Sequence, residues 1–147
     1  MTLSTPQNFR HPVLEYDEEL KLWRLVENYT FIWDDPKTKR MERLHIPAGE
    51  VYDKASVPRA LWSVARPDGP WEGPALFHDI LYKKKGDMGD MYHVADGGKW
   101  VLGPKWSRWR ADWFLGWTGK LGGASYLGAS KYTWAVRLYP PNFFKGF

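Results

Sequence analysis

Cysteine is absent from the 147 residues. That excludes disulfides, thiolate metal centres and a cysteine nucleophile, so a metal would need histidine and carboxylate ligands, as zinc, manganese or magnesium can accept. Long apolar runs are missing too. None approaches the roughly 20 residues of a membrane span, and the opening stretch MTLSTPQNFRHPVLEY has no apolar core of a secretory signal. The expectation is a soluble, cytoplasmic protein. Repeats and low-complexity tracts are lacking, and the length suits a single domain over 1–147. The net charge is only +4, with the basic residues spread along the chain, which ranks nucleic acid behind other partners.

What the chain has in excess is rings: ten Trp, eight Tyr and seven Phe make it 17% aromatic. A core this small cannot hide them all, so some are expected to line a groove or an interface. From about Pro12 to Tyr52 the sequence is rich in β-branched and aromatic residues, broken by the turn-forming DDPKTK, and reads as an antiparallel meander. Ser56, followed by Pro58, starts a short helix that ends before Pro67. A loop then leads to a helix over about 73–84, favoured by Lys83, Lys84 and Lys85 at its negative end. MYHVADGGKWVL alternates around a Gly-Gly turn and reads as a small hairpin. Ser107 caps a further helix that Gly122 and Gly123 stop, and a last helix, ASKYTWAVRLY, ends at Pro140 and Pro141. The fold class is α+β: an N-terminal antiparallel β meander followed by three or four helices with a small β-hairpin insertion.

The stretch ALFHDILY raises the sharpest chemical question. At 3.6 residues per turn Leu76, Phe77, Ile80 and Leu81 fall on one side, and Ala75, His78, Asp79 and Tyr82 on the other. A lone His-Asp pair is more often an exposed helix end than a site, so partners from elsewhere are needed. Asp53 stands where a strand meets a capped helix, a place that points side chains into clefts, although it or Ser56 serves equally well as the cap. Asp112 belongs to a helix that is apolar almost all round, with Trp109, Ala111, Trp113, Phe114, Leu115 and Trp117. Its charge needs a ligand or a partner, and Arg108 one turn earlier is the simplest partner. Asp53, His78 and Asp112, brought from three elements, would make a nitrogen and oxygen site for a divalent cation that activates a water. Asp79 would then be general base or fourth ligand, and Tyr82 would stabilise developing charge. In a metal-free version an Asp orients His78 as general base while Ser56 or water attacks. His45 ahead of His78-Asp79 and Asp112 resembles the ligand order of HD-type phosphohydrolases. Their first His lies on a helix, whereas RLHIPAGEVY reads as a strand, which leaves His45 an ordinary strand residue.

Together IPAGEVYDKASVPRALW, ALFHDILY, RADWF and YTWAVRLY resemble a family known as domain of unknown function 1353. Its members show a VPAGFxTDxASVPRxxW-like stretch, HDxLY, an Arg-x-x-Asp-like helix and a helix ending near AVR. The likeness runs from about Ile46 to Tyr139 and carries over to Asp53, Ala55, Ser56, Val57, Pro58, His78, Asp79, Leu81, Tyr82 and Asp112. The chain departs at Glu50, where an aromatic is usual, at Tyr52, where Thr is common, and in the long segment before the Asp112 helix. The resemblance implies a small protein of phage or prophage type, cytoplasmic or virion-associated, and brings no activity with it.

Two functions compete. One is a metal-assisted hydrolase with a His/Asp site, its substrate a cell-wall fragment stacked on Trp62, Trp106, Trp109 or Trp113. The other is a non-enzymatic structural or accessory protein, in which the Asp and His residues form a structural polar network and exposed aromatics meet a phage or host protein. Phe143, Phe144 and Phe147, beyond the Pro-Pro break, have the look of a docking tail.

Overall fold

Period-two alternation decides the strands. In MERLHI the residues Glu42, Leu44 and Ile46 are buried while Met41, Arg43 and His45 are partly open, so one face of this strand is sealed against the core. The computed structural model describes residues 9–52 and 72–138. The helix expected after Ser56 and the Phe-rich C-terminal stretch lie outside them.

The strands are β1 (Leu14–Asp17), β2 (Leu22–Leu25), β3 (Tyr29–Asp34), β4 (Met41–Ile46), β5 (Val51–Tyr52), β6 (Tyr92–Asp96) and β7 (Lys99–Leu102). Three α-helices are described: α1 (Glu72–Lys83), α2 (Arg108–Leu121) and α3 (Tyr126–Leu138). The class is α+β, as expected. The N-terminal strands, however, divide between two antiparallel sheets, ordered β1-β2-β5 and β3-β4-β6-β7. After β4 the chain returns to β2, pairing Trp23 with Tyr52, and the edge of β4 is taken by β6, with Leu44 opposite Tyr92. The hairpin insertion thus widens the larger sheet.

One face of that sheet meets α1 and α2 through rings. Phe31 stacks on Trp33 and on Phe77, Trp33 and Phe77 both touch Phe114, and Trp106 bridges Phe114 to Tyr92. Most of the aromatic side chains among the described residues are therefore core.

Helix α1 ends in a Schellman turn, with the amide of Gly86 on the Leu81 carbonyl and that of Lys85 on Tyr82. The left-handed residue such a turn needs is Lys85, at φ 52°. Helix α2 starts as expected, the Ser107 hydroxyl accepting from the Arg110 amide at 3.1 Å. It then runs to the stop at Gly122 and Gly123. Gly86 also meets the chain just before α2: its carbonyl accepts from the Trp106 amide at 2.9 Å, and a side chain at 86 would collide with the Trp106 carbonyl. Helices α2 and α3 approach closely at Gly116, where a Cβ would lie 2.2 Å from Thr133 Oγ1.

Candidate functional site

From Gly73 to Tyr82 helix α1 is buried on every side. Leu76, Phe77, Ile80 and Leu81 face the aromatic core, and Ala75, His78, Asp79 and Tyr82 on the opposite side are 1% exposed or less. That face packs on α2, because a helix lying between a sheet and a second helix has no free side.

The polar residues of that face meet one carboxylate. His78 Nε2 lies 2.7 Å from Asp112 Oδ1, and the Tyr82 hydroxyl donates to the same oxygen at 2.6 Å. The His78 and Tyr82 rings lie 4.2 Å apart. The cation beside Asp112 is Arg137 of α3, with Nε 3.8 Å from Oδ2, rather than the Arg108 expected from spacing. Arg108 donates to the Tyr82 hydroxyl at 3.3 Å and to the Arg137 carbonyl at 3.0 Å. Three helices are thus joined through a carboxylate that is 1% exposed.

Burial pushes the His78 imidazole below its ordinary value, against the pull of Asp112, and Arg108 adds to the lowering. His78 is therefore neutral at pH 7, its Nε2–H donates to Asp112, and Nδ1 carries the lone pair. Nδ1 is buried with no hydrogen-bond partner among the described residues. Burial raises the Tyr82 phenol, as does its bond to Asp112, so it stays a donor.

The sequence-stated site residues divide accordingly into two sets. His78, Tyr82 and Asp112 are brought together, and Asp79 is fully buried on the same helix. Asp53, Ser56 and Trp62 lie outside the described residues. Among the described residues no group of three His, Asp or Glu side chains could hold a metal ion. Cation binding at His78 and Asp112 would have to displace the bond between them. His45 is a strand residue on β4, bonded to the Thr30 hydroxyl at 2.7 Å.

A second buried network escaped the sequence reading. Arg110 Nη2 reaches Asp35 at 2.7 Å and Glu42 at 2.8 Å, and its guanidinium lies over Trp106. Glu42 also accepts from the Tyr92 hydroxyl and, at 2.6 Å, from Thr38. The Asp35 carboxylate caps the turn after β3 through the Lys37 and Thr38 amides. Burial raises its pKa, but the Thr38 amide, the Trp33 indole and the Lys37 amide, with Arg110 beside them, leave it below the usual carboxylate range. The signal was available: Glu42 shares the parity of Leu44 and Ile46, so an acid there is necessarily inward and paired.

Of the rings expected to line a groove, Trp106 is instead 2% exposed and part of the core. A groove of about 180 Å³ does exist between α2 and α3, and Trp113, Trp117 and Trp134 border it. Trp109, expected inside an apolar helix, is 63% exposed, and Arg137 lies over both its ring and that of Trp134.

Residues 23–115, more than half of the chain, match the model of a family described as protein of unknown function (DUF1353). The chain belongs to this family. The match takes in β2 to β7 and the α1–α2 contact, and so covers the His78–Tyr82–Asp112 cluster and the Arg110 network; α3 lies beyond it. No curated protein and no solved structure matches the chain.

Proposed function

We propose that this DUF1353 protein is a non-enzymatic accessory protein. Its His78, Asp79, Tyr82 and Asp112 brace the helices, and it works by binding a partner on the face formed by α2 and α3. The observation that carries this reading is the Asp112 carboxylate, 1% exposed and occupied by His78, Tyr82 and Arg137. A group so engaged fixes α1, α2 and α3 against one another, as expected of a buried polar network. On the α2–α3 face the exposed Trp109 and Trp134, with the half-buried Arg137 lying over both rings, have the composition of binding hot spots. The setting on this reading is a phage-type assembly, cytoplasmic or virion-associated, with a phage or host protein as partner.

One observation favours a second reading, hydrolysis: the buried Nδ1 of His78 has no described partner. With Asp112 orienting the ring, Nδ1 would take a proton from water or from Ser56. Alternatively Asp53, His78 and Asp112 would hold zinc, manganese or magnesium, with Asp79 as base, acting on a cell-wall fragment. Elemental mass spectrometry on tag-free protein, wild type and with His78→Ala or Asp112→Ala, separates the two. The accessory reading expects no stoichiometric metal and no release from peptidoglycan, phosphoester or ester panels. Metal near one per chain, lost in both variants, or turnover lost in both, would overturn it.

A further inference from the structure

Trp100 stands on the outermost strand of the larger sheet, on the face turned away from α1 and α2, and is nevertheless only 5% exposed. Strands alternate, so Ile32, Arg43, His93 and Leu102 form one outward row across this sheet, each opposite the next. Trp100, two residues from Leu102, shares that face. The Arg43 guanidinium lies over its ring, 5.1 Å from the centroid. Ile32 and His93 beside it are 3% and 7% exposed.

Part of what holds Arg43 in place works in one protonation state alone. Arg43 Nη2 lies 3.0 Å from His93 Nδ1. A guanidinium can only donate, so Nδ1 accepts, and the proton of the neutral ring sits on Nε2. A second proton, taken up at Nδ1, removes the acceptor and sets imidazolium against guanidinium across the β4–β6 pair. Among the described residues, the charged and titratable groups around His93 are Arg43 and His45 of β4 and the exposed Asp90 in the turn before β6. From β7 it meets Leu102, which has no charge. Burial and Arg43 hold the ring below its ordinary value; Asp90 pulls the other way, and His45 adds to the lowering. The inner side of β6 is fastened separately, by Tyr92 and Val94 in the core and by the Tyr92 bond to Glu42.

We propose that Arg43 and His93 form an acid-released latch on the outer face of the larger sheet. Protonation of His93 frees the guanidinium, which leaves Trp100 open to water beside Ile32 and Leu102. The chain then presents one surface at neutral pH and a second, more apolar one in acid, with the core intact. This face lies across the sheet from His78 and Asp112, so the device is independent of the function proposed above.

The test is nuclear magnetic resonance on the full chain, labelled with nitrogen-15, between about pH 7.5 and about pH 4.5. A neutral gadolinium chelate in the solvent broadens the signals of exposed groups. The indole nitrogens of Trp100 and Trp106 are both buried without a hydrogen-bond partner among the described residues. Trp106, in the core, therefore serves as the reference, and Trp100 is assigned by the signal lost in Trp100→Phe. Broadening at Trp100 should rise severalfold as the His93 ring protonates, with a midpoint below 6.5, while Trp106 stays unchanged. In His93→Gln, whose amide oxygen accepts from Arg43 and does not titrate, Trp100 should stay protected throughout. In Arg43→Gln the neutral amide still donates to Nδ1, and the His93 midpoint should move up towards 6.5 because the repelling charge is gone. No change at Trp100 down to about pH 4.5, a change that persists in His93→Gln, or equal broadening of Trp106 at the same pH would overturn the proposal.

Discussion

Asp112 receives two donors and a cation while only 1% exposed. Replacing it by Ala leaves His78, Tyr82 and Arg137 without their shared acceptor. We expect a loss of about 3–5 kcal/mol, or a Tm lower by about 10 °C or more, in scanning calorimetry. Asp112→Asn keeps the shape and one acceptor, and should cost less than half as much. His78 adds a pH dependence of known sign. The unfolded chain takes up a proton near the ordinary value of 6.5, whereas the folded imidazole is held lower by burial. The stability it contributes is therefore complete above about pH 6.5. Below that it falls by about 1.4 kcal/mol per pH unit until the folded ring protonates. His93, lowered by burial and by neighbouring Arg43, acts in the same direction. Urea unfolding at a series of pH values should show this slope, and His78→Asn should make it shallower.

At the scale of elements, two positions turn on what a Cβ costs the backbone. Lys85 holds the left-handed place of the α1 Schellman turn, where a Cβ is penalised. Lys85→Gly should therefore stabilise the protein by about 1 kcal/mol, read as a higher denaturation midpoint. Gly116 has the opposite logic. Gly116→Ala gains helix propensity but drives a methyl onto Thr133 Oγ1, so a net loss of about 1–3 kcal/mol is expected. In a Thr133→Ala background most of that loss should vanish. The elements themselves were legible because their signals are local: alternation in MERLHI, the Ser107 cap, the Gly-Gly hairpin, the paired glycines after α2. What was not legible is which partners they choose. The return of β5 to β2 depends on a long-range match of Trp23 with Tyr52. The burial of both α1 faces depends on α2 lying across the second one. For the same reason His78 and Asp112 could be singled out as residues needing partners, while Arg137, an ordinary basic residue in a last turn, gave no sign that it would reach Asp112.

At the scale of the whole molecule, the contacts among the described residues leave little room for independent parts. Phe77 of α1, Phe114 of α2 and Phe31 and Trp33 of the larger sheet belong to one cluster. Arg110 ties α2 to β4, and Asp112 ties it to α1 and α3. We accordingly expect one cooperative unfolding transition, with calorimetric and van't Hoff enthalpies equal within error. An early transition in near-UV dichroism, separate from the far-UV signal, would contradict it. No helix among the described residues is long and apolar enough to cross a membrane.

The backbone bond from Trp106 to Gly86 carries a consequence for how the chain tolerates change. It ties off everything between those residues as a closed excursion, entered and left at one point, whose far tip is Gly97 and Gly98. Because loop-closure entropy grows only slowly with length, added sequence at that tip leaves the helix pair at the knot undisturbed. A fluorescent or affinity module spliced between Gly97 and Gly98 would ride on the molecule without touching either buried network.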